Sequence, residues 1–165
     1  MKPQIEEIIA QNLNADKQKI ASDLAGWLRK NKMTPSPEWI GATYNAFVAK
    51  CNKGIICRIE IAQDGSWKIK LYLSKIRKYE TLIIIEGIQQ FIWQHLKYCP
   101  DEKCGTKCND IGTLTILGKE FSRLCKDTNV NYFLSFTIEN PDEKMLVKIY
   151  RLLELEQKTR KGVLV

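Results

Sequence analysis

Four cysteines in the second half of the chain have the residue type and the spacing of a metal site. Cys99, Cys104 and Cys108 follow one another as Cys-x4-Cys-x3-Cys, and Cys125 comes further along the chain. Structural zinc takes four thiolate or imidazole ligands at tetrahedral corners. The sequence therefore predicts that these four thiols converge on one point and hold a zinc ion, with three ligands from one loop and the fourth from the element that follows.

His95 offers an alternative fourth ligand. It is the only histidine in the chain, and it precedes Cys99 by four residues, so on a helix the two side chains share one face. The apolar residues around His95 equally suit a core histidine whose ring nitrogens are hydrogen-bonded. With one histidine, the chain cannot assemble a Ser-His-Asp triad and a separate histidine metal site together.

The cysteine spacing also leaves two other interpretations open, because well-specified zinc sites use Cys-x2-Cys pairs. Lys103 and Lys107 directly precede Cys104 and Cys108, and neighbouring cations favour the reactive thiolate. The loop could therefore belong to a thiol-redox protein or another small enzyme that uses Cys104 and Cys108. The plainer alternative is a loop of unligated thiols with Cys125 buried nearby.

Length and composition predict a single domain, residues 1–165, with the cysteine-rich loop 99–108 inserted after its central helix. A chain of 165 residues buries roughly 70% of the surface that its unfolded form exposes, so it can fold without disulfides. The N-terminus has no secretory pattern, and the longest apolar run, Leu82–Ile85, is far shorter than a membrane span. We therefore expect a cytoplasmic protein that does not enter a membrane, with its cysteines reduced.

The clearest pattern predicts an antiparallel β-meander at about residues 43–73. Two breaks, Asn52-Lys53-Gly54 and Gln63-Asp64-Gly65, separate three alternating segments. A three-residue loop at each break, with its glycine at positive φ, brings the same odd-numbered residues to one face. Register is strongly specified when one face is buried, so this agreement identifies the core face.

The two loops pair Ile61 with Trp67 and Cys51 with Ile55. The predicted core face carries Phe47, Ala49, Cys51, Ile55, Cys57, Ile59, Ile61, Trp67, Ile69, Leu71 and Leu73. The opposite face is mainly basic and carries Tyr44, Val48, Lys50, Ile56, Arg58, Glu60, Lys68, Lys70 and Tyr72.

Helices complete an α+β fold, because they flank an antiparallel sheet instead of alternating with parallel strands. The apolar periodicity predicts two N-terminal helices, a long helix at 81–98 with Ile84 and Ile85 on its apolar side, and a final helix at 141–158 capped by Asn140. Thr34–Pro37 is predicted as a loop. Further predicted elements are a short apolar stretch Leu114–Leu117, a short helix Lys119–Cys125, and a strand through Tyr132, Leu134, Phe136 and Ile138.

The sequence names no reaction, since it contains neither a glycine-rich phosphate fingerprint nor a Gly-x-Ser-x-Gly elbow. The expected function is a small cytoplasmic binding or interaction module with a zinc-binding cysteine loop, whose partner is a protein or a small ligand. A third interpretation follows from the net charge of +7: weak nucleic-acid binding through the basic sheet face and the basic tail Lys158–Lys161.

Overall fold

A computed structural model describes residues 3–98, 113–125, 129–130 and 133–163. The helices are α1 (Ile5–Asn12), α2 (Ala15–Lys30), α3 (Glu80–Ile85), α4 (Gln89–Gln94) and α5 (Glu143–Arg160), with a 3₁₀ turn at Ile76–Lys78. The strands are β1 (Ser36–Ile40), β2 (Tyr44–Cys51), β3 (Gly54–Ala62), β4 (Trp67–Leu73), β5 (Leu114–Ile116), β6 (Lys119–Phe121), β7 (Asn129–Val130) and β8 (Phe133–Glu139).

The larger sheet confirms the predicted meander. Its strand order is β1-β2-β3-β4-β8-β7, and its pairings are antiparallel. Ile61 faces Trp67, and Gly65 has a φ of +81°, as the three-residue loop requires. Phe47, Ile59 and Trp67 are buried, and Lys68 is exposed on the opposite face. The α+β class is therefore confirmed together with the register of the second hairpin.

The first hairpin differs from its prediction. Asn52 and Lys53, and not Gly54, take positive φ, which makes a two-residue turn whose twist matches that of the flanking strands. Cys51 consequently faces Gly54, and a β-bulge beyond Ala49 restores the predicted register. The extra residue, Ile56, is buried in the core, although the alternation had placed it on the basic face.

One hydrophobic core joins the sheet to the helices. Ile5, Ile8 and Ile9 of α1 belong to it, as do Leu24 and Leu28 of α2. The predicted core-face residues of β2, β3 and β4 join the same cluster except Ile55, which is half-buried because the bulge turns Ile56 inward in its place. Asn14 caps α2 by accepting a hydrogen bond from the Lys17 amide, which fixes where that helix begins. Ala46 and Val48 are buried but lie outside this cluster, since they are on the other face of the sheet.

The predicted helix 81–98 is wrong as a single element. Gly87 has a φ of +68°, and the Ile88 and Gly87 amides donate to the Ile83 and Ile84 carbonyls, which is the Schellman pattern that ends a helix. The chain therefore bends between α3 and α4, and Ile83 and Ile88 point inward. Ile84 and Ile85, predicted on the apolar side, are 43% and 75% exposed.

Three further predictions are corrected. Ser36 and Pro37, the second half of the predicted loop Thr34–Pro37, belong to edge strand β1, and Lys119–Cys125 begins as strand β6 instead of a helix. The turn of the β5–β6 hairpin is Leu117-Gly118, with both φ values positive. Asn140 does not cap α5: Asp142 does, because Pro141 disfavours helical geometry in its predecessor. Strand β8 is confirmed, with Leu134, Phe136 and Ile138 buried; Tyr132 lies outside the described residues.

Candidate functional site

Cys125 lies where the chain returns from the cysteine-rich segment. Tyr98 and Leu124 form an antiparallel β-bridge, and the Cys125 amide donates to the Lys97 carbonyl at 2.8 Å. Cys125 is half-buried and free, while Leu124 is fully buried in the core. Cys99, Cys104 and Cys108 lie outside the described residues, so the structure places one of the four predicted ligands.

His95 follows the last residue of α4 and packs between two aromatic rings. Its Nδ1 is 2.7 Å from the Phe91 carbonyl oxygen, and its ring centroid is 4.6 Å from that of Phe91 and 6.5 Å from that of Phe136. A carbonyl can only accept, so Nδ1 is the donor in this contact, and in the neutral ring the lone pair is then on Nε2. This tautomer suits a packed histidine and also suits Nε2 as a metal ligand.

The β5–β6 hairpin is hydrogen-bonded to α4 close to His95 in the sequence. The Trp93 indole donates to the Ile116 carbonyl at 3.0 Å, and the Lys119 ammonium lies 5.2 Å from the Trp93 ring and 5.3 Å from the Phe121 ring. Cation–π contacts of this geometry hold an ammonium against an aromatic face. The described residues on both sides of segment 99–112 are therefore anchored to the core.

Within the described part of the chain, no group of three or more histidine, cysteine or acidic side chains is arranged to hold a metal ion. Cys51 and Cys57 are buried core residues, as their strand positions predict. Burial raises the pKa of the Cys57 thiol to about 12 and also raises the pKa of Cys51. Both are therefore neutral thiols near pH 7, and neither is an activated nucleophile.

A buried polar network that the sequence did not reveal lies at the C-terminal end of α5. Glu156 is fully buried. Its Oε1 accepts from the Ser74 amide at 2.8 Å and the Ser74 hydroxyl at 2.6 Å, and its Oε2 accepts from the Lys75 amide at 3.2 Å and from the Tyr79 hydroxyl. Burial and the adjacent carboxylate raise the pKa of Tyr79 well above its usual value, so Tyr79 remains a donor.

Arg160 completes this network, which we call the α5 clamp (Glu156, Arg160, Tyr79 and Ser74). Its Nε lies 2.7 Å from Glu156 Oε1, and its Nη2 donates to the Ile55 and Tyr72 carbonyls at 3.1 and 3.0 Å. Arg160 therefore ties the last turn of α5 to strands β3 and β4. The predicted basic tail is the end of a packed helix, and Lys158 is paired with Glu154.

The basic sheet face is largely neutralised by its own carboxylates. Arg58 Nε lies 3.0 Å from Glu38 and 3.3 Å from Glu60, and Lys68 Nζ lies 2.9 Å from the other oxygen of Glu60. Glu139 sits opposite Lys68 on the next strand. This alternation of charge weakens the electrostatic argument for nucleic-acid binding, which depends on unpaired cations that follow a phosphate backbone.

Two aromatic residues occupy one end of that face. The Trp39 and Tyr44 rings lie 4.3 Å apart, and a Cβ on Gly41 would fall inside the Trp39 ring. Sequence reasoning missed Trp39, because the prolines beside it concealed strand β1. A shallow cleft of 540 Å³ beside Tyr44 extends to Lys68 and Asn140.

A second cavity, of 290 Å³, lies between the chain that follows β4 and the β5–β6 hairpin. We call it the basic cavity, and its lining residues are Ser74, Lys75, Ile76, Arg77, Lys78, Glu80, Leu114, Thr115, Ile116, Leu117 and Leu134. Apolar side chains and cations thus meet at one concave surface.

Comparison with protein-family models, with curated proteins and with solved structures finds no match to this chain. In the described part of the chain, no helix combines the length and the apolar character that crossing a membrane requires. Functional inference therefore depends on the geometry of the residues themselves.

Proposed function

We propose that this chain is a binding module whose cysteine-rich segment is closed by a zinc ion bound to Cys99, Cys104, Cys108 and Cys125. The observation that carries the proposal is the Tyr98–Leu124 bridge, together with the hydrogen bond from the Cys125 amide to the Lys97 carbonyl. These contacts hold Cys125 beside Lys97 and Tyr98, the residues that directly precede the cysteine-rich segment in the sequence.

Chain connectivity supports convergence of the first and the last ligand. Tyr98 and Leu124 are bridge partners, so the residues that directly precede Cys99 and Cys125 in the sequence lie side by side. The proposal is that the two thiolates that follow this bridge share one ion, with Zn–S bonds near ~2.3 Å.

The role of the ion in this proposal is structural. Cys99 to Cys108 is a short span, and a structural zinc supplies folding free energy to segments that lack a core of their own. The anchored elements at its ends, α4 and the β5–β6 hairpin, would then carry a rigid loop that a protein partner or a small ligand can recognise. A redox role is predicted for Cys104 and Cys108, which lie outside the described residues; Cys51 and Cys57 are buried neutral thiols and do not supply one.

The test is metal content beside thiol reactivity, measured on protein purified without added zinc. We expect one zinc per chain and protected thiols, with four thiols becoming reactive after a chelator removes the metal. Cys99→Ser, Cys104→Ser, Cys108→Ser and Cys125→Ser should each reduce zinc content, whereas Cys51→Ala, the matched control from the core, should retain it. If His95 is the fourth ligand, His95→Gln should reduce the zinc content and Cys125→Ser should not.

Two results would contradict the proposal. One is native protein without zinc in which the four cysteines react with a thiol reagent as fast as unhindered thiols. The other is equal loss of zinc in Cys51→Ala and in the loop variants, since this would trace the effect to general unfolding.

A further inference from the structure

Two kinds of residue line the basic cavity. Five are apolar and come from the 3₁₀ turn, the β5–β6 hairpin and β8: Ile76, Leu114, Ile116, Leu117 and Leu134. Its volume of 290 Å³ equals roughly ten water volumes, which is at the small end of ligand pockets. The space suits a small molecule.

Lys75, Arg77 and Lys78 also line the cavity, with Glu80 as the single carboxylate. All three cationic side chains are on exposed residues, and among the described residues none of them forms an ion pair. Many other cations of the chain are paired, including Arg58, Lys68, Arg151 and Lys158. A cluster of unpaired positive charge at a concave site attracts anions.

Hydrogen bonds to other parts of the fold order two of the segments that line the cavity, residues 74–75 and the β5–β6 hairpin. The Ser74 and Lys75 amides donate to the buried Glu156 carboxylate, and the Ile116 carbonyl accepts from the Trp93 indole at 3.0 Å. A site whose walls are already ordered loses less conformational entropy on binding.

We propose that the basic cavity binds a small organic anion, a carboxylate attached to a short apolar chain. The carboxylate lies at the rim against Lys75, Arg77 and Lys78, where charge-assisted hydrogen bonds form. The apolar chain lies against Leu114, Ile116 and Leu134 and removes their surface from water. The proposal does not depend on zinc, since it uses only described residues that line the cavity, and Cys125 is not one of them.

The cations and the apolar residues of the cavity each require a different group on the ligand. Octanoate has both, a carboxylate and an apolar chain. The alcohol 1-octanol keeps the chain but leaves the cations without a counterion, octylammonium places like charge against them, and acetate lacks the chain. We therefore expect octanoate to bind at least tenfold more tightly than each of the other three, because one lost charge-assisted contact or several unburied methylenes each exceed a tenfold effect.

The experiment is a titration of the full chain with each of these four compounds, in which amide chemical shifts measured by NMR report binding. Octanoate should shift the amides of residues 75–78 and 114–117, and Arg77→Glu combined with Lys78→Glu should weaken its binding at least tenfold. Lys30→Glu combined with Lys144→Glu changes the net charge equally at exposed positions of α2 and α5, and it should alter affinity less than twofold. Ile76→Trp, which fills the apolar part without changing charge, should also weaken binding.

Three outcomes would overturn the proposal: octanoate shifts scattered outside the cavity, 1-octanol binding as tightly as octanoate, or equal weakening in the two charge-reversal pairs. If Ile76→Trp does not fold, the charge-reversal pairs still decide the question, because all four of their positions are exposed.

Discussion

Replacing Glu156 with glutamine should destabilise the protein more than any exposed charge change. Glutamine keeps Oε1 for Ser74 and Arg160 but presents an amide nitrogen to the Lys75 amide, which already donates to that position at 3.2 Å. The variant leaves the Arg160 guanidinium without its counterion at a side chain that is only 8% exposed. Breaking a buried ion pair from one side costs about 3–5 kcal/mol of unfolding free energy, a large fraction of the 5–15 kcal/mol typical of a domain.

The assay is urea and thermal unfolding followed by circular dichroism. For a chain of this length we expect the Tm to fall by about 10 °C or more. Glu86→Gln is the matched control: it removes the more exposed ion pair with Arg151 and should cost less than about 1 kcal/mol. Adding Arg160→Met to Glu156→Gln should recover part of the loss, since the orphaned charge is then gone. A Glu156→Gln protein within about 1 kcal/mol of the parent would refute this account of the α5 clamp.

Two further predictions follow from the backbone and from a buried thiol. Gly65→Val should lower the unfolding free energy by about 1–3 kcal/mol, because φ is +81° there; an unchanged urea midpoint would contradict it, and Gly26→Val tests the same change in a helix. Burial raises the pKa of the Cys57 thiol from 9.0 to about 12, so the folded state is stabilised by the neutral thiol below pH 9, and this stability is lost as the pH rises to 12. The unfolding free energy should fall by about 4 kcal/mol over this range, and by less in Cys57→Ala, as urea unfolding at a series of pH values can measure.

The meander could be predicted because alternation and turn chemistry agree over three strands. Phe47, Ile59 and Trp67 are buried as expected, and Gly65 takes the conformation that its loop requires. At the first hairpin the prediction assigned positive φ to Gly54, whereas Asn52 and Lys53 have positive φ in the structure. The turn is therefore one residue shorter, and a β-bulge after Ala49 restores the register. Local rules therefore fixed the face of most residues but not the position of the bulge, which depends on what packs against Ile56.

The other departures arise from contacts between residues distant in sequence. Gly87 interrupts a long apolar run, so periodicity alone joined α3 and α4 into one helix. Asn140 resembles a helix cap, but its side chain accepts from the Trp67 amide 73 residues away. Glu156 and Arg160 have the i, i+4 spacing that is also typical of exposed pairs, and the docking of α5 on the sheet buries them.

The α5 clamp and the basic cavity share one segment, and this gives a prediction that separates positioning from contact. Glu156 does not line the cavity, yet it accepts from the amides of Ser74 and Lys75, at the start of the segment that carries the three cations. In Glu156→Gln, at a temperature where the variant is folded, the affinity for octanoate should fall about three- to tenfold because the rim must be ordered on binding. Arg77→Glu with Lys78→Glu should instead weaken binding while leaving the Tm within about 2 °C, since exposed substitutions cost little. Equal octanoate affinity in folded Glu156→Gln and in the parent protein would show that the rim does not depend on the clamp, and the cavity would then have to be ordered by its apolar wall alone.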